Sequence, residues 1–157
     1  NHAAFPFLSE STGNFYIISG DENFPWGVMA TKGQPSNPRG GYHFLNFSDP
    51  DNPKEEAIYE VPEAGSHNLW VYGDILIAGN YQAGLRIVDI SGELLGDIYK
   101  QGREIGHYLP YHKEGKIPNA PMVWGAQPYK DYIFFADMNS GLYCIKLEDI
   151  NEGSGTP

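Results

Sequence analysis

The side chains of this 157-residue sequence with the most chemistry to offer are five histidines, three tryptophans and one cysteine. His67 and Trp124 stand 57 residues apart at matching points of an internal repeat, and His2 occupies a comparable point near the start. An imidazole so placed serves either as a metal ligand or polar anchor, or as a lock hydrogen-bonded to backbone. His107 and His112 bracket Tyr108 and Tyr111, close enough to share a metal or line a pocket, the alternative being a solvated aromatic loop. Phe24 and Trp26, together with Tyr108, Tyr111 and Trp124, could present an apolar surface to a protein or glycan partner, or Phe24 and Trp26 could anchor their own loop.

Other residue types narrow the chemistry further. Acidic turns at 20–23, 48–52 and 137–141 offer oxygen ligands of the kind calcium takes, although no cofactor is expected. None has the twelve-residue EF-hand spacing, and turn-forming Asp and Asn account for them better than calcium does. A single cysteine, Cys144, excludes an intrachain disulfide and every multi-cysteine metal site, and its apolar neighbours suggest a small buried hydrophobe. There is no G-x-S-x-G elbow and no Walker or Rossmann glycine pattern, so nothing here marks an enzyme. Ten basic against twenty acidic residues give a net charge of −10 with no basic cluster, which argues against nucleic acid as a partner. No apolar run is long enough for a transmembrane helix.

These residues must be positioned by short strands. With 19 Gly, 12 Pro and 22 aromatics the composition favours an all-β fold, and a hairpin module recurs three times. The middle copy runs from Gly73 to Asn80 and from Gly84 to Ser91; the third copy repeats both halves 57 residues later, with a turn at Met138–Ser140. The first copy pairs 13–20 with 41–48, so about 17 residues are inserted in its loop, and their Pro and Gly content cannot continue a strand pair. Flanking strands are expected before each hairpin (Ala3 to Leu8, His67 to Tyr72, Met122 to Gln127) and after two of them (Ala57 to Val61, Leu95 to Tyr99), the third copy lacking its last strand.

Four-stranded units of about 40 to 45 residues, each with an apolar face it cannot bury alone, predict a partial β-propeller of about three blades within residues 1–150. The expected blades are about 1–63, 64–102 and 119–148, with long loop insertions at about 22–40 and 103–120 and a flexible tail at 151–157. Three blades cannot close a ring, so the remaining blades would come from a longer chain or a second copy. A start at Asn1 rather than Met fits a processed protein or a piece of a longer one.

Gly84-Leu85-Arg86-Ile87-Val88-Asp89-Ile90-Ser91 resembles the repeat core of bacterial LVIVD-repeat proteins; Ser48-Asp49-Pro50-Asp51-Asn52-Pro53 resembles their turn, and His67-Asn68-Leu69-Trp70-Val71 the strand that opens their blades. The third copy departs from that pattern at Tyr143-Cys144-Ile145-Lys146. The resemblance implies a secreted, cell-surface or periplasmic bacterial β-propeller. The expected role is a non-catalytic protein-interaction or scaffolding module, such as an accessory subunit of an envelope assembly. Two alternatives stand beside it: a metal-dependent enzyme with its site at the channel mouth, and a calcium-stabilised adhesion or glycan-binding module.

Overall fold

The computed structural model of the chain describes residues 1–23, 40–62 and 64–146. Phe24, Trp26 and most of the first insertion, together with the tail at 151–157, lie outside the described residues. Among those described the fold is all-β, with no helix and twelve strands in three open sheets. The first sheet orders β1 (Ala3–Leu8), β2 (Phe15–Gly20), β3 (Tyr42–Asn46), β4 (Lys54–Tyr59) and the two-residue β8 (Gly96–Asp97). The second orders β5 (Leu69–Tyr72), β6 (Ile75–Gly79), β7 (Leu85–Asp89) and β9 (Glu104–Tyr108). The third holds β10 (Val123–Tyr129), β11 (Tyr132–Asp137) and β12 (Gly141–Lys146).

Sequence alternation explains how the sheets stack. Along β11 the residues alternate between exposed and buried, as a strand with one covered face requires. Along β6 the run Leu76, Ile77, Ala78, Gly79 is buried throughout, because the second sheet is covered on both faces. Leu76, Ala78 and Val88 pack with Tyr16, Ile18, Tyr42, Phe44 and Tyr59 of the first sheet, whereas Ile77, Leu85 and Ile87 pack with Val123, Ala126, Ile133 and Phe135 of the third. The opening strands β1, β5 and β10 touch in that order.

Polar groups pin the stack. The Tyr42 hydroxyl of the first sheet donates to the Gly79 carbonyl of the second at 2.8 Å, and the Tyr59 hydroxyl donates to the Glu104 carboxylate at 2.8 Å. Burial pushes both phenols far above their ordinary value, so they act only as hydroxyls. Asn68 N–H donates to the Trp124 carbonyl, and Tyr81 and Val123 exchange backbone hydrogen bonds, joining the second sheet to the third.

Two strand expectations need correction. Leu95 to Tyr99 is not the fourth strand of the middle copy: only Gly96 and Asp97 pair there, and they run parallel to β4 of the first sheet. Glycines in the left-handed region at 92, 96 and 102 bend this stretch, and Leu94 and Ile98 turn into the core. The fourth strand is instead β9, at residues expected to begin the second insertion, antiparallel to β7 with a bulge between Ile87 and Val88. Cys144 is also exposed rather than buried, because β12 is an edge strand whose Leu142, Cys144 and Lys146 share its open face.

Candidate functional site

The site is where one end of all three sheets converges. His2 precedes β1 and Glu22 follows β2, so antiparallel pairing brings them to the same end of the first sheet. His67 leads into β5 of the second sheet, Tyr81 follows β6, and Trp124 lies on β10 of the third. The imidazoles of His2 and His67 lie with centroids 4.3 Å apart, and the Trp124 and Tyr81 rings each stand 5.3 Å from His67. The predicted grouping of His2, His67 and Trp124 is therefore brought together in space.

His67 is buried, and a single residue occupies both of its ring nitrogens. The Trp124 carbonyl can only accept, so the 2.7 Å contact to Nδ1 places the proton there. Nε2 then carries the lone pair that accepts from the Trp124 indole N–H. His2 approaches Glu22 with Nδ1 at 3.1 Å from Oε2, while its Nε2 stands 3.1 Å from Asn68 Oδ1. The other Glu22 oxygen lies 3.7 Å from His67 Nε2 and accepts from the Tyr81 hydroxyl. Burial, reinforced by hydrogen bonding to Glu22 and by its charge, pushes the Tyr81 phenol well up. Tyr81 holds φ at 43° although it is bulky, a conformation stabilised by its two backbone hydrogen bonds to Val123.

Burial lowers the His67 titration below its ordinary 6.5; the charge on His2 adds to this, and the Trp124 carbonyl and Glu22 only partly oppose it. His43, at the edge of the same end, behaves oppositely. Burial pulls it down, but Glu55 at 3.0 Å and Asp21 at 3.1 Å hold it above 6.5. The signs follow from linkage. Stability from His43 is fully present below 6.5 and lost as pH rises through its raised folded value. Stability from His67 is present above 6.5 and lost as pH falls through its depressed one. Proton NMR titration should place the two imidazole midpoints on opposite sides of 6.5. Midpoints on one side would contradict the contacts described.

The second predicted group separates. His107 and Tyr108 lie on β9: His107 Nδ1 meets Glu104 at 2.9 Å, and the Tyr108 ring packs against Phe135 and Tyr143 between the second and third sheets. Tyr111 and His112 remain on the exposed loop beyond it, where His112 Nδ1 accepts from the Glu114 N–H. In the acidic turns, Asp137 accepts from the backbone N–H groups of Met122, Asn139 and Ser140, and Asp49 from Asp51 N–H and the Asn52 amide. These carboxylates act as turn acceptors.

Sequence reading missed Glu22, Tyr81 and Asn68. Glu22 sat in a turn considered for calcium, and Tyr81 in a hairpin turn with no distinguishing mark. The adjacency of Asn68 to His67 was the one available signal. Comparison of the chain with protein-family models, with curated proteins and with solved structures finds no match in any of the three.

Proposed function

We propose that the chain supplies three blades of a larger extracytoplasmic β-propeller of the LVIVD-repeat type, serving as a non-catalytic protein-interaction or scaffolding module. Support comes from strand order within each sheet, from opening strands that lie side by side, and from faces stacked in series. The observation that carries the proposal is the open face of the third sheet.

On the second sheet, Ile75, Ile77, Leu85 and Ile87 pack in the cluster shared with the third. Displaced by the repeat length of 57, the same positions on the third sheet are Tyr132, Phe134, Leu142 and Cys144, and all four are exposed, Leu142 to 76%. The repeat therefore carries the same contact surface one step further, and a fourth sheet of the same kind fits it, from a continuation of the chain or from a second copy. An apolar surface of this sort drives association through the water it releases.

Sedimentation of this chain is expected to show concentration-dependent association that Phe134→Glu with Leu142→Glu abolishes. The monomer's melting temperature should barely move, since exposed substitutions change stability by only about 0.5 kcal/mol. Cys144 should react slowly with a thiol reagent in the associated form and quickly in the variant. A wild-type chain that stays monomeric at roughly 100 μM, where even weak complexes form, and whose Cys144 reacts as fast as a free thiol, would remove a second copy as the source of the fourth sheet.

A further inference from the structure

We propose that His2, Glu22 and His67 together bind one divalent first-row transition ion of the zinc class. The proposal rests on the junction of the three sheets and does not depend on how many blades surround it.

One ligand atom from each of these residues lies within 4.8 Å of the other two. Two imidazoles and a carboxylate form a donor set that suits zinc and its neighbours rather than calcium, which takes six to eight oxygens. Tetrahedral ligands at about 2.1 Å stand roughly 3.4 Å from one another. His2 Nδ1 stands 3.1 Å from one Glu22 oxygen and His67 Nε2 stands 3.7 Å from the other, distances near that separation, so a small turn of the carboxylate presents one oxygen to an ion held by both rings. Rotation of the exposed His2 side chain brings in the remaining pair.

The neighbours are arranged as metal sites require. A ligating histidine usually donates its second N–H to a carboxylate, a backbone carbonyl or water, which fixes the tautomer and turns the other lone pair toward the ion. His67 Nδ1–H donates to the Trp124 carbonyl, and His2 Nε2 faces the Asn68 side-chain oxygen. In the tautomer with its proton on Nε2, His2 turns its Nδ1 lone pair toward the Glu22 oxygen 3.1 Å away, where an ion can be held by both. One group competes, since the indole N–H of Trp124 occupies the His67 lone pair. Trp124 is partly exposed and can swing outward, leaving the fourth coordination position for water.

Calorimetric titration with Zn²⁺ should give one site per chain with a dissociation constant of micromolar or tighter. Co²⁺ in its place should produce visible absorption bands of four- or five-coordinate geometry. His2→Ala and Glu22→Gln, both at solvent-accessible positions, should each weaken binding at least tenfold without unfolding the protein. Trp124→Phe removes the competing donor and keeps the ring contact, so it should tighten binding about three- to tenfold, the worth of one neutral hydrogen bond. His43→Gln should leave binding unchanged. The proposal is overturned if Zn²⁺ binds no tighter than about 100 μM, if His2→Ala and Glu22→Gln bind as the wild type does, or if only His43→Gln abolishes binding.

Discussion

Replacing Gly84 with alanine is expected to lower the melting temperature by about 10 °C, although the change adds one methyl group in a turn. Two separate costs combine. Gly84 sits at φ +78°, where an L side chain is strained by about 1–2 kcal/mol. A Cβ there would also stand 2.3 Å from the Tyr108 carbonyl oxygen and 2.9 Å from Leu109 Cδ2. A backbone carbonyl held in the ladder cannot step aside, and overpacking of this kind costs about 1–3 kcal/mol more. The sum, about 2–5 kcal/mol, shifts the midpoint by roughly 2–4 °C per kcal/mol in a domain of this size.

Gly102→Ala separates the two costs. Gly102 has a similar φ of +71°, but an added Cβ there meets nothing within 4 Å. Its variant should lose a little under half as much, by strain alone. Equal losses at the two positions in thermal unfolding would mean that β9 does not run beside Gly84. That outcome would return residues 104–108 to the loop in which sequence reading first placed them.

Glu104→Ala should be damaging, at about 2–4 kcal/mol, because it strips a largely shielded arginine of its partner. Arg86 Nη1 donates to both Glu104 oxygens at 3.0 Å, and both side chains are largely shielded from water. The Tyr59 hydroxyl from the first sheet and His107, three residues further along β9, complete the carboxylate's partners. Burial alone would raise the Glu104 titration. The Tyr59 hydrogen bond, the Arg86 charge and hydrogen bond, and the His107 contact outweigh it and hold the carboxyl below its ordinary value near 4.5.

The pH dependence has a definite sign. A depressed carboxylate contributes stability that is fully present above 4.5 and is lost as pH falls through its lower folded value. Urea unfolding of the wild type and of Glu104→Ala should therefore differ most near neutral pH and converge toward pH 3. Arg86→Met combined with Glu104→Leu should recover part of the loss, since replacing both members of a buried pair is often close to neutral. A deficit for Glu104→Ala below about 1 kcal/mol, the value of an exposed pair, would show that water reaches this junction freely.

The hairpin repeat was legible because its evidence is local: turn glycines, paired apolar runs and a constant offset of 57 all lie along the chain. β1 matches its expected range, β5 and β10 lie within a few residues of theirs, and the third sheet has the three described strands its copy predicted. The fourth strand of the middle copy was misplaced for a physical reason. Leu94, Leu95 and Ile98 have the apolar character of a strand, but glycines in the left-handed region bend the stretch so that Leu94 and Ile98 enter the core and Leu95 stays exposed. Glu104, Ile105 and Gly106 look like loop in sequence, yet they become strand because β7 offers them an unpaired edge and Arg86 offers a charge.

By itself, the amino-acid sequence determined the strand character, the three hairpins and the equivalence of His67 with Trp124, since side-chain alternation and turn chemistry act over a few residues. Only the tertiary structure decided that Trp124 holds both nitrogens of His67, that Glu22 stands between two imidazoles, and that Glu104 ties the first sheet to the second. Those contacts join residues 18 to 57 positions apart. They depend on which face of each sheet is covered and on how the sheets abut, and a pattern of period two carries no record of either.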